Sequence, residues 1–241
     1  MAALIVKSTE LSHDKKAELL FGKDARGVPY LSDSSIRDLF KSNVLSQDDK
    51  VIFFTLALRG QRKPIMRQMM AKMFSANPSD KIDLYVRHIV NYMKSLYPHP
   101  SCGIEFLINE FAFLAIEEDA IDIANSLFKN GFDSLSISYQ GELALSMAVK
   151  NRNTMMSGCL IENHSNVNAK SANGLTALME AAKIEGCVTT AKLLIDKGAD
   201  VNAVTSAEGE SALMIAVQNR NLPMIDLLLS NGASMTLTNN S

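Results

Sequence analysis

No apolar run in these 241 residues reaches the roughly 20 residues that a membrane-spanning helix needs. The opening Met1-Ala-Ala-Leu-Ile-Val-Lys7 is too short for the apolar core of a secretory signal. Cysteine is scarce: Cys102, Cys159 and Cys187 are odd in number and never fall as Cys-x-x-Cys, which fits buried thiols in a reducing compartment. These absences predict a soluble, intracellular protein. The four histidines (His13, His88, His99, His164) show no metal-ligand spacing, so no metal is expected. Gly-x-x-x-x-Gly-Lys is missing, and with it a phosphate-cradling loop. His99-Pro-Ser-Cys102 is a local Cys/His pairing, but Pro98 and Pro100 make it a turn with an incidental cysteine rather than a nucleophile. The chain is therefore expected to be no enzyme, with no catalytic residue and no cofactor.

What is present is a period. An alanine recurs at Ala115, Ala148, Ala181 and Ala216, at spacings of 33, 33 and 35. A helix-ending position recurs at Gly131, His164, Gly198 and Gly232, at spacings of 33, 34 and 34. Ala148-Val-Lys-Asn-Arg-Asn153 and Ala216-Val-Gln-Asn-Arg-Asn221 nearly coincide, two periods apart. Such self-similarity marks a stack of supersecondary units that bury a shared core. The units run 104–136, 137–169, 170–204 and 205–241.

Each unit is expected to be a helix pair. Thr176 and Ser211 are placed to cap the first helix by accepting from an orphan backbone N–H. Ala181 and Ala182 let paired helices approach closely, and Leu193, Leu194 and Ile195 form the buried stripe of the second helix. Gly198 supplies the positive φ that ends it, and Asn173-Gly174 turns the chain back as a finger. One extra residue near 184–188 is expected to enlarge the turn between the helices of the third unit. The last helix, with Met224, Ile225, Leu227, Leu228 and Leu229, has little polar relief. That end is expected either to continue into a longer protein or to be covered.

These residues resemble the ankyrin repeat, most closely in Asn173-Gly-Leu-Thr-Ala-Leu-Met-Glu-Ala-Ala182 and in Leu194 through Gly198-Ala-Asp-Val-Asn202. The usual Thr-Pro-Leu-His has become Thr176-Ala-Leu-Met179 and Ser211-Ala-Leu-Met214, losing the preorganised proline of the first turn. The resemblance implies an all-α solenoid over 101–241 and a protein–protein interaction module that binds a protein partner through finger tips and the concave face. Carried over position by position, it implies contact residues Tyr139, Gln140 and Glu142, then Ala172, Asn173 and Leu175, then Ala207, Glu208 and Glu210. At the ends of the first helices it implies Lys150 and Asn151, Lys183 and Ile184, and Gln218 and Asn219. Exposed Tyr139, Leu175 and Ile184 are the expected anchors, since aromatic and aliphatic side chains dominate interface energetics.

Residues 1–100 do not keep the period. They carry 16 Lys plus Arg against 10 Asp plus Glu, whereas residues 101–241 carry 8 against 16. This contrast supports a boundary near residue 100 and suggests a basic partner for the acidic array. Helices are expected at 12–21, 33–42, 47–59 (capped by Ser46), 64–74 and 80–97, as a helical domain that caps the array. Met66, Met69, Met70 and Met73 share one helical face, as core or as an adaptable groove. Arg59, Arg62, Lys63, Arg67 and Lys72 read as a solvated face rather than a phosphate contact, so no nucleic acid is expected. Val28-Pro29, Ile36, Leu39-Phe40, Val44-Leu45-Ser46, Asp49 and the run 51–58 are similar to an F-box. That similarity implies a ubiquitin-ligase adaptor with contacts at Pro29, Ile36 and Leu39, and F-box and ankyrin segments occur together in secreted effectors of intracellular bacteria.

Overall fold

The computed structural model describes residues 4–5, 8, 10–21, 32, 34–35, 38, 45–59, 63–74, 79–96, 104–130, 138–139, 142–163 and 165–236. The chain divides into two compact units, Met1–Leu114 and Ala115–Ser241.

In the first unit, α1 (His13–Phe21), α2 (Gln47–Arg59), α3 (Lys63–Phe74), α4 (Ser79–Leu96) and the body of α5 (Ile104–Glu117) follow the expected segments. The expected helix at 33–42 falls mostly outside the described residues. Two of the starts have a side-chain cap. Ser12 Oγ accepts from the Lys15 N–H at 3.2 Å ahead of α1. At α2, the Asp49 N–H donates to Ser46 Oγ at 3.1 Å and the Ser46 N–H donates to the Asp49 carboxylate at 3.0 Å, a reciprocal capping box. Helix α2 packs against α1, α3 and α4. It buries Phe53, Phe54, Leu56 and Leu58, and the Phe54 ring meets Phe111 edge-on at 5.2 Å. Met66, Met69, Met70 and Met73 are all buried, so the methionine stripe is core and not a groove.

The second unit is the repeat array. After α5 come α6 (Ile121–Lys129), α7 (Ala144–Lys150), α8 (Thr154–Glu162), α9 (Ala177–Lys183), α10 (Val188–Asp196), α11 (Ala212–Gln218) and α12 (Leu222–Ser230). First helices stack on first helices (α7 on α9, α9 on α11), and second helices stack likewise (α6 on α8, α8 on α10, α10 on α12). The only strands among the described residues are β1 (Ser138–Tyr139) and β2 (Glu142–Leu143), paired antiparallel in a finger.

The recurrent alanine has a twofold reason. Ala115, Ala148, Ala181 and Ala216 are all fully buried, the last three on first helices that stack on one another. Three of them also close their helix. The carbonyls of Ala115, Ala148 and Ala216 accept from the N–H of Ala120, Asn153 and Asn221 at 2.8, 2.9 and 2.9 Å. Each closure brackets a residue at positive φ: Asp119 at 56°, Arg152 at 56° and Arg220 at 54°. This is the Schellman ending, repeated at three of the four turns. The third unit departs from it. Its turn, Ile184–Cys187, has four residues where the equivalent 118–120, 151–153 and 219–221 have three, and the positive φ moves to Gly186 at 87°. The expected enlargement is present. One expectation is corrected: of Leu193, Leu194 and Ile195 only Leu194 is fully buried. Three consecutive residues span about 200° of a helix, too much for one buried stripe.

Candidate protein-binding surface

The fingers are built by short turns with defined closure. In the third unit the Gly174 N–H donates to the Ser171 carbonyl at 2.8 Å and the Ser171 N–H to the Leu175 carbonyl at 2.9 Å. Gly174 takes φ 73°, as a three-residue hairpin turn requires. The next finger closes through Thr205 N–H to the Glu210 carbonyl at 2.9 Å, with Val204 and Ser211 bridged and Gly209 at φ 68°. Thr176 and Ser211 then cap α9 and α11, their hydroxyls accepting from Met179 and Met214 N–H at 3.3 Å each.

Finger and helix residues are locked between neighbouring repeats by asparagine. Asn168 Nδ2 donates to the Gly198 carbonyl (3.0 Å) while its Oδ1 accepts from the Asp200 N–H (2.7 Å). One period on, Asn202 Nδ2 donates to the Gly232 carbonyl (3.1 Å) and its Oδ1 accepts from the Ser234 N–H (2.8 Å). On the turn side, Asn153 bonds Asp119, and buried Asn221 donates to the Ile184 carbonyl at 3.3 Å.

Against this frame the expected contact residues separate. Ala172, Asn173, Ala207 and Glu208 are exposed at finger tips, and Asn151, Gln218 and Asn219 are exposed at helix ends. Gln218 Nε2 donates to Glu210 Oε1, so helix end and finger adjoin in the fourth unit. Tyr139 and Glu142 are backbone partners across their finger, and Gln140 lies outside the described residues. Ile184 is half-buried. Leu175 is corrected outright: expected as an exposed anchor, it is only 8% exposed. The finger tip is 172–174, and Leu175 already lies on the limb that returns to the core ahead of the Thr176 cap.

The residue that sequence reading missed is Glu180. Its side chain is 6% exposed on α9, and it faces Lys150 Nζ at 3.6 Å and Lys183 Nζ at 4.0 Å, whose side chains are 37% and 42% exposed. The signal was available, because Lys150 and Lys183 each follow the repeat alanine by two residues, as Gln218 does.

Burial pushes the Cys159 thiol up to about 11, helped by the Glu162 charge, and the thiol donates to Asn125 Oδ1 at 3.0 Å. Burial also raises Cys187. Both stay protonated at neutral pH and are poor nucleophiles. An open groove of about 730 Å³, lined by Glu117, Asp119, Arg152 and Met155 among others, separates the turns of the first two units. Among the described residues no three of His, Cys, Asp or Glu are placed to hold a metal. Among them too, no helix is long and apolar enough to cross a membrane. Cys102 and His164 lie outside the described residues, as do Pro29, Ile36 and Leu39.

Stacked helix pairs joined by fingers, with a Schellman turn and an inter-repeat asparagine at one period, define a helical repeat array of the ankyrin class. A family model for ankyrin repeats (three copies) matches residues 112–205 and 145–239, and the chain belongs to the ankyrin-repeat family. The array is similar to the B-cell lymphoma 3 protein homolog of Mus musculus, 30% identical over 126 residues, covering 51% of this chain and 28% of that protein. It is also similar to a putative ankyrin repeat-containing protein of Treponema pallidum (strain Nichols), 37% identical over 124 residues, 51% of this chain and 41% of that one. To the Drosophila melanogaster protein mask, an ankyrin repeat and KH domain-containing protein, it is 40% identical over 81 residues, 33% of this chain and 2% of the relative. The chain thus spans less than half the length of each of these relatives.

Proposed function

We propose that the array, taken as residues 101–241 with a degenerate first unit, is a non-enzymatic module that binds a partner protein. The contact surface runs along the finger tips and the carboxyl ends of the first helices. It comprises Asn151, Ala172, Asn173, Ile184, Glu208, Glu210, Gln218 and Asn219, with Lys150 and Lys183 between them; Leu175 drops out as a structural residue. The observation that carries this reading is the convergence of equivalent positions. Lys150 and Lys183 meet on one carboxylate, and Gln218 reaches the finger residue Glu210. Side chains one repeat apart therefore act on a common surface, as an extended partner requires. The acidic finger of the fourth unit, with Glu208 exposed beside Glu210, suits a basic segment of that partner. Ankyrin repeats are generic protein-binding modules, and a first compact helical unit, Met1–Leu114, gives the chain the layout of an adaptor.

The test is site-specific photo-crosslinking in the full chain. A photoreactive residue replacing Asn173 or Asn219 is expected to capture a discrete protein, whereas one replacing Lys192 or Asp226, exposed on second helices, is not. Equal capture from both sets would sink the assignment of the surface.

A further inference from the structure

We propose that the open groove between the turns of the first two repeat units docks a short, carboxylate-bearing segment of a partner protein, with Arg152 binding the carboxylate. The groove encloses about 730 Å³ and is lined by Asp119, Ile121, Arg152, Thr154 and Met155 among others. That volume falls within the roughly 300–1,000 Å³ of ligand clefts. The groove shares only Asn151 with the surface proposed above, so each stands or falls without the other.

Its donors are of two kinds. Arg152 sits at φ 56° on an exposed turn, a conformation that glycine adopts without strain and that the third unit gives to Gly186. An arginine kept there at a conformational cost points to a use for its side chain. Its guanidinium has five N–H donors, yet it makes neither a hydrogen bond nor an ion pair among the described residues. Thr154 and Met155 follow as the first two residues of α8, and their N–H groups meet no acceptor among the described residues either. The amino end of a helix carries partial positive charge, so these N–H groups favour the same anion as the guanidinium beside them. Arg220 supplies the contrast, at the same position of the repeat and at φ 54°. Behind it the Leu222 N–H already donates to the Arg220 carbonyl at 3.0 Å, and Pro223 has no N–H. Arginine at that turn lacks the accompanying donors.

The rest of the lining selects the ligand. Met155 is 74% exposed and Ile121 half-buried, so an apolar side chain next to the carboxylate would take both out of water. Glu117 and Asp119, whose carboxylate accepts from Asn153 Nδ2, line the same groove. They oppose a phosphate, with about two negative charges, more than a single carboxylate. A glutamate or aspartate beside a leucine or similar residue meets both conditions.

The test is an amide NMR titration of the isotopically labelled full chain. The probes are the blocked peptide Gly-Leu-Glu-Leu-Gly, its Gln analogue and inorganic phosphate. The glutamate peptide is expected to shift the Thr154 and Met155 amides, and the Gln analogue to bind about tenfold more weakly. Arg152→Gly keeps the turn and relieves its strain, and is expected to lose about the same factor. Arg220→Gly relieves the same strain two repeats away and is expected to bind unchanged. Silent Thr154 and Met155 amides, equal affinity for the two peptides, or an Arg152→Gly variant that binds like the natural chain would each overturn the proposal. So would equal losses in the two glycine variants, or phosphate moving the same amides at an affinity matching that of the glutamate peptide.

Discussion

Arg152 and Arg220 sit at φ 56° and 54°, in the left-handed region where a side chain costs roughly 1–2 kcal/mol. Their positions close the helix ends, and the family of turns tolerates the strain because the Schellman bonds satisfy carbonyls that the helix leaves open. Nothing in the letter R announces this, whereas Gly198 could be read as a helix end directly. The contrast yields a prediction on three residues. Arg220→Gly removes the strain and is expected to stabilise by up to about 1 kcal/mol, after the added freedom of the unfolded chain is discounted. Gly198→Ala, at φ 88° with open space around a new Cβ, is expected to cost about 1 kcal/mol from backbone strain alone. Gly174→Ala should cost more, because its Cβ would also fall 3.1 Å from Ser206 Oγ and 3.2 Å from Ser206 N in the next finger. Urea unfolding followed by far-ultraviolet circular dichroism checks the order, the chain having no tryptophan to report.

Among elements, what was legible is what local chemistry decides. Thr176 and Ser211 announce helix starts because a hydroxyl there has one good use, and the extra residue at 184–188 announces a longer turn by count. Leu175 was misread because it lies one residue past the finger tip, on the limb that returns to the core, and Glu180 was missed because its two partners lie on different helices. The asparagines sit between these cases. Asn168 and Asn202 were visible as letters of a repeated finger, yet each makes a bidentate bridge into the following repeat that only the structure shows. Two net hydrogen bonds are worth about 1–2 kcal/mol at such partly solvated sites. Asn202→Ala is therefore expected to lose about that much and to speed amide exchange at Ser234, whose N–H loses its acceptor. Asn168→Ala should act one repeat earlier, at Asp200. An Asn202→Ala variant with unchanged exchange at Ser234 would show that the bridge carries no stability.

For the molecule as a whole, a repeat position does not have a fixed energetic value; its place in the stack sets it. Ile116, Val149, Ala182 and Val217 occupy one position of the repeat, just after the recurrent alanine. The first three are at most 1% exposed, while Val217 is 55% exposed, with Leu222 at 69% on the same unit. In a solenoid each repeat contacts only its neighbours, so this position is buried by the repeat that follows it. Sequence alone cannot make the distinction, since Ala148-Val149 and Ala216-Val217 read alike in their near-identical blocks. The energetic consequence differs sharply. Val149→Ala removes two buried methyl groups and leaves a cavity, and is expected to cost about 2 kcal/mol, given roughly 0.8 kcal/mol per buried methylene plus the unfilled space. Val217→Ala, at the same letter of the same motif, is expected to change stability by less than about 0.5 kcal/mol, as surface substitutions do. Urea unfolding of the two single variants and of the double variant decides it. A cost at Val217 matching that at Val149 would mean that the fourth repeat's outer face is covered in solution, and the stack would then have a neighbour beyond Ser230.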